Sequence, residues 1–166
     1  LHETALAVMA RLNLDDTLTK YFPELPAGVY RPVTIRHLLL HTSGVRDSEA
    51  MYPFMGIDYS QWYTQGMFMD MLMRQQALNF KPGEKIEYSN SAYTLLALIV
   101  EKVSGRKFAE FAAERIFAPL GMNDTRIQTS HATFIAKRAA GYKPASGEFA
   151  NWMTDTEYGA GQLLAR

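Results

Sequence analysis

Residues 91–104 constrain the fold more than any other stretch, because Ala92, Leu95, Leu96, Ile99, Val100 and Val103 recur at the i, i+3, i+4, i+7 spacing of one helical face. A stripe of that length is stable only when other elements cover it, so the pattern predicts a helix packed into a core. Ser89, Asn90 and Ser91 offer N-cap side chains, and Gly105 offers the left-handed position that ends a helix. A second helix is expected over 107–117, with Phe108, Phe111, Ala112 and Ile116 on one side and Pro119 as its stop. A third runs from Thr34 through Ile35, Leu38 and Leu39 to a stop at Gly44. Over 67–74 methionine recurs every second residue, as in a strand, yet Met and Leu are strong helix formers and the segment reads as helix. Its methionines suit core packing, with a pliable binding surface as the alternative. Strand signals are few, at 126–129 and 140–143. Pro and Gly punctuate the gaps at 23–28, 81–83, 119–121 and 144–147. The fold expected from these patterns is mainly α, in one domain spanning 1–166.

Composition narrows the function. The chain has 166 residues, enough for a substantial core, and 17 basic side chains balance 17 acidic ones. With no basic excess to neutralise phosphates, nucleic acid is not an expected partner. A hydrophobic share of 48% with 20% charged residues belongs to a globular domain rather than a disordered one. The absence of cysteine excludes a disulfide scaffold, a thiolate zinc site and a cysteine nucleophile. The most apolar run, 93–100, ends at Glu101 and Lys102 and is too short for a membrane-spanning segment. The N-terminus, with Glu3 and Arg11 around a short apolar run, does not have the pattern of a signal peptide.

The residues with the most chemical content are Tyr88-Ser89-Asn90, at the entrance of the apolar helix. A phenol and an amide two residues apart can point into one cleft, where the first relays a proton and the second orients a substrate carbonyl. The alternative is that Asn90 caps the helix and Tyr88 packs. Ser104-Gly105-Arg106-Lys107 is a Ser-x-x-Lys string, but Ser104 ends one helix and Gly105 breaks the register, so a turn between helices explains it. His37 and His41 stand four apart with only leucines between, without a glutamate base or a third ligand, so no metal is expected there. Tyr52, Phe54, Tyr59, Trp62 and Tyr63 form an aromatic cluster that fits either packing or a substrate contact. Asp15, Asp16, Glu110 and Glu114 read as solvated helix ends or faces.

Beyond these local patterns, a series of segments occurs in a fixed order: Leu14-Asp15-Asp16, Tyr21-Phe22-Pro23, Thr34-Ile35-Arg36-His37-Leu38-Leu39, His41-Thr42-Ser43-Gly44 and Phe80-Lys81-Pro82-Gly83-Glu84. Tyr88-Ser89-Asn90-Ser91, Val103-Ser104-Gly105, Pro119-Leu120-Gly121-Met122 with Thr125, and Ala140-Gly141-Tyr142 follow. In this the chain resembles the serine β-lactamase and penicillin-binding-protein-like hydrolases, above all the class C β-lactamase and esterase branch. The resemblance implies an α/β fold, an antiparallel sheet flanked by helices with a helical lobe inserted between its early and late parts. This chain matches the lobe and the tail of the nucleophile helix.

In that family Tyr-x-Asn is the second of three motifs, between a Ser-x-x-Lys that supplies the acylated serine and a Lys-Thr-Gly or His-x-Gly strand. A serine hydroxyl is a weak nucleophile at neutral pH, so lysine and tyrosine share its proton while backbone amides hold the oxyanion. The resemblance assigns Tyr88 to the relay and Asn90 to recognition of a substrate amide or carbonyl. Aligning the family's Thr-Ala with Thr4-Ala5 puts the motif serine ahead of Leu1, and Gly159-Ala160-Gly161-Gln162-Leu163-Leu164 matches a stretch upstream of the third motif. The chain by itself is therefore expected to be inactive, as part of a serine hydrolase acting on β-lactams, D-alanyl peptides or small esters through an acyl-enzyme. The rival expectation is a non-catalytic binding or assembly module built on the same lobe. The resemblance implies no cofactor, a small acyl compound as substrate, and a periplasmic or secreted location.

Overall fold

A computed structural model describes residues 12–57 and 64–129 with their side chains, and the backbone of 141–145, 148–152 and 163–164. Its first layer comes from three short helices, α1 Leu18–Tyr21, α2 Ala27–Tyr30 and α3 Ile35–Leu39. A single antiparallel bridge, Thr17 opposite Thr34, ties α1 to α3, and Leu18 N–H donates to the Val33 carbonyl at 2.7 Å. That clip turns Leu18, Phe22, Leu25, Tyr30, Val33, Ile35 and Leu38 inward together. The Pro- and Gly-bearing stretch after Pro23, expected as punctuation only, therefore contains a helical turn. Asp15 and Asp16 lie at its surface but are paired: Arg36 reaches Asp15 at 3.0 Å, and Lys20 and the Tyr21 hydroxyl both donate to Asp16 at 2.7 Å. These donors hold both carboxyls below their ordinary range, and burial followed by the Asp16 contact pushes the Tyr21 phenol up to about 12.

The third helix is shorter than the expected stop at Gly44. Thr34 caps it as expected, with His37 completing a capping box, but the helix ends at Leu39 because His41 takes a left-handed φ of 54° and redirects the chain. Next come α4 Ser48–Met51, which runs into a 3₁₀ turn at Tyr52–Met55, and α5 Gln65–Met73. In α5 the alternating methionines give way to a helical stripe, Phe68, Met71 and Leu72, which is buried as core.

The long helix α6, Asn90–Ser104, lies against α3, α4 and α7 Phe108–Ala112. Its ends are as the sequence indicates, with Ser89 as N-cap and Gly105 left-handed at φ 70°. Its buried face is rotated from the expected stripe. Ser91, Ala92, Thr94, Leu95, Leu98 and Ile99 point inward, whereas Leu96 and Val100 are only partly covered. Two of the inward residues are polar, and both are satisfied: Ser91 Oγ accepts from Ser48 N–H at 2.8 Å, and Thr94 Oγ1 donates to the Asn90 carbonyl at 3.1 Å. Hydrophobic periodicity does not see such residues as core. Leu95→Ala is therefore expected to cost about 2 to 5 kcal/mol and Leu96→Ala about 1 kcal/mol. Equal losses for the two in chemical denaturation would show that the helix is rotated back.

After α7 the helix widens into a π turn at Ala113–Phe117, where Ala118 N–H donates to the Ala113 carbonyl at 2.9 Å. The extra residue swings Phe117 into the core in place of the expected Ile116. The strands are small. β1 Arg126–Ile127 pairs antiparallel with β4 Leu163–Leu164, and β2 Gly141–Ala145 forms a ladder with β3 Glu148–Trp152, from Gly141 opposite Trp152 to Ala145 opposite Glu148. β1 and β2 fall where strands were expected; β3 and β4 carried no signal in the sequence. Among the described residues no helix is long and apolar enough to cross a membrane.

Candidate active site

Tyr88 and Asn90 are positioned by contacts from residues 41–47, more than 40 positions earlier in the chain. The loop that precedes them is clipped to this segment at three points: Asn79 N–H donates to Gly44 O at 2.8 Å, Gly83 N–H to Thr42 O at 2.8 Å, and Glu87 N–H to His41 O at 2.9 Å. His41 Nδ1 accepts the Ser89 N–H at 3.2 Å, and its ring lies 4.8 Å from that of Tyr88 and 4.9 Å from that of Tyr93. Because Nδ1 is an acceptor, the proton of the neutral imidazole sits on Nε2. The left-handed turn that ends α3 thus delivers the ring that orders residues 87–89.

Ser89 Oγ accepts from Ala92 N–H at 3.3 Å and caps α6, which leaves Asn90 as the first helical residue. Its side chain is free for other work. Asn90 Nδ2 donates to Asp47 Oδ2 at 3.1 Å, and the Asn90 backbone N–H donates to the same oxygen. The other Asp47 oxygen caps α4 by accepting from Ala50 N–H at 3.2 Å. With Nδ2 turned to Asp47, Oδ1 faces outward and accepts the Tyr88 hydroxyl at 3.1 Å. Tyr88 is 68% exposed, so the phenol stands at the surface with its hydroxyl directed by the amide. Beside the site the Glu49 carboxyl is raised by burial and then by the Asp47 charge, while Lys85 and Asn79 hold the Glu87 carboxyl below its usual range.

The structure thus brings Tyr88 and Asn90 into contact. It puts Ser104 elsewhere: Ser104 Oγ accepts from Arg106 N–H at 3.2 Å in the turn after α6, and Lys107 lies 3.5 Å from Glu101. His37 spends its Nδ1 on the Thr34 cap. The aromatic cluster is divided, with Tyr52 buried in the core and Phe54 87% exposed; Tyr59, Trp62 and Tyr63 lie outside the described residues. Glu114 pairs with Arg106 at the surface. An apolar cavity of about 520 Å³ opens between α6, α7 and β1, with Tyr93, Leu96, Val100, Phe108 and Ile127 in its wall, but neither Tyr88 nor Asn90 lines it. His41 and Asp47 were not singled out from the sequence as partners of the site. Asp47-Ser48-Glu49 signals a helix start, which is half of what Asp47 does; its contact with Asn90 has no local signature.

The β-lactamase family model matches residues 4–165. The chain belongs to the β-lactamase family. Among curated β-lactamase-family proteins it is 40% identical over 122 residues to penicillin-binding protein 4* of Bacillus subtilis, covering 70% of this chain and 25% of that protein. It is 30% identical over 148 residues to the D-aminopeptidase of Brucella anthropi, covering 86% of this chain and 28% of that enzyme. The octameric penicillin-binding protein homologue from Pyrococcus abyssi superimposes with a TM-score of 0.75 at 30% identity, over 98% of this chain and 39% of that one. The chain thus spans about a quarter of the length of these curated relatives. Its fold is that of the penicillin-binding-protein-like serine hydrolases, represented here by a portion that is about half helical with little strand among the described residues.

Proposed function

We propose that this chain is the helical lobe of a serine hydrolase that cleaves D-aminoacyl amides and related acyl compounds through an acyl-enzyme, with Tyr88 as proton relay and Asn90 as substrate-orienting amide. The observation that carries the reading is the contact between the exposed Tyr88 hydroxyl and an Asn90 side chain that does not cap its helix. In the reaction a serine oxygen attacks the acyl carbon, the bond to the leaving nitrogen breaks, and the serine proton passes by way of the phenol to the departing amine. Water then hydrolyses the acyl-serine by the reverse relay. In this reading the acylated serine is contributed by sequence ahead of Leu1. The name D-aminopeptidase of one relative supports the substrate class, and export to the periplasm or beyond forms part of the same proposal.

The test is covalent labelling of the full-length protein with a fluorescent penicillin, alongside turnover of D-alanine p-nitroanilide. A stoichiometric adduct is expected on a serine upstream of Leu1, and none on residues 1–166 expressed alone. An adduct on Ser104, or no adduct and no turnover in the full-length protein, would overturn the reading.

A further inference from the structure

We propose that Asp47 is the positioning residue of this site: its carboxylate fixes which way round the Asn90 amide is presented, so that Oδ1 meets the Tyr88 hydroxyl. The inference rests on the functional reading above and adds to it the group that sets the site's geometry. A carboxylate is acceptor-only at both oxygens. One Asp47 oxygen takes Ala50 N–H at the start of α4, and the other takes Asn90 Nδ2 at 3.1 Å together with the Asn90 backbone N–H. An Asn side chain can turn over about its terminal bond, exchanging oxygen and nitrogen at nearly the same positions. With an acceptor behind it, only the orientation that turns Nδ2 inward is satisfied. Oδ1 is then left outward to receive the Tyr88 hydroxyl at 3.1 Å. One Nδ2 hydrogen is committed to Asp47 and the second is left for a substrate carbonyl. Asp47 itself is held by its capping bond, so it is a fixed reference rather than a mobile side chain.

The capping role and the positioning role can be separated. Serine caps helices about as well as aspartate, but it is too short to hold Ala50 and reach Asn90 at once. In Asp47→Ser the full-length protein is therefore expected to keep its Tm within a few degrees while kcat/KM for D-alanine p-nitroanilide falls about 10- to 100-fold, chiefly in kcat, as for a misplaced orienting group. Asp47→Asn retains the size, and with its Oδ1 kept on Ala50 N–H it turns an NH2 donor toward the Asn90 N–H and Nδ2, so the acceptor that orients Asn90 is lost and the same fall in kcat is expected. A readout independent of turnover is the Asn90 side-chain amide in ¹⁵N NMR, identified by its disappearance in Asn90→Ala. Its two hydrogens should be well separated in shift and slow to exchange in the parent, and should lose both properties in Asp47→Ser. Parent-like turnover in Asp47→Ser while Asn90→Ala is impaired would overturn the proposal. If Asn90→Ala is itself silent although the Asp47→Ser amide signal has moved, the functional reading of the site has failed and the proposal falls with it. An unchanged amide signal in Asp47→Ser would refute the tether directly, whatever the turnover.

Discussion

Tyr88→Phe in the full-length protein is expected to lower kcat/KM by about 10² to 10⁴ and to leave Tm unchanged. The substitution removes one atom. The ring keeps its tilted contact with His41 at 4.8 Å, and a side chain 68% exposed contributes little burial, so the fold has no reason to respond. What is lost is the hydroxyl that donates to Asn90 Oδ1, and with it the group through which the serine proton would reach the leaving nitrogen. The expected loss corresponds to about 3 to 5 kcal/mol of transition-state stabilisation. The competing explanation of the Tyr-x-Asn triplet, a helix cap beside a packed ring, makes a different forecast. It requires Asn90 to be the cap, and that place is taken by Ser89. Turnover within twofold of the parent in Tyr88→Phe would refute the relay.

How far the sequence discloses this arrangement depends on the range of each interaction. The long helix was legible almost to the residue, because its cap, its stripe and its terminal glycine are all local signals. Its inward face was not, because Ser91 and Thr94 are core residues only by virtue of the bonds they make to Ser48 and to the Asn90 carbonyl. The widening after α7 escaped for a related reason: periodicity assumes a constant 3.6 residues per turn, and the π turn that exchanges Ile116 for Phe117 breaks the assumption. β3 and β4 are defined by pairing rather than by composition. In the site, Tyr88 and Asn90 stood out because a known motif carries them, whereas the two residues that place them did not. His41 falls inside a helix expected to run on to Gly44 and Asp47 lies just beyond it, and their contacts with residues 88–90 exist only once the loop at 79–87 has closed over them.

That closure depends on Gly44, where a methyl group is expected to cost about 2 to 5 kcal/mol. Two separate effects add. Gly44 has φ 69°, a region that costs an L-residue about 1 to 2 kcal/mol. A Cβ there would also stand 2.2 Å from the Phe80 carbonyl oxygen and 3.3 Å from Leu78 Cβ, so the main chain of 78–80 must withdraw, at the cost of about 1 to 3 kcal/mol typical of overpacking. The withdrawal also strains the bond from Asn79 N–H to Gly44 O, one of the three that hold the loop carrying Tyr88. Gly105 supplies the control, since its φ of 70° is almost the same but nothing lies within 4 Å of the added carbon. Gly105→Ala should therefore show the conformational cost alone, about 1 to 2 kcal/mol. The difference between the two variants in equilibrium denaturation measures the close approach of residues 44 and 80. Because that approach sets the position of Tyr88, Gly44→Ala should also lose turnover at temperatures where it remains folded, whereas Gly105→Ala should not. Equal destabilisation by the two substitutions would mean that the 78–80 segment yields freely and does not carry the site.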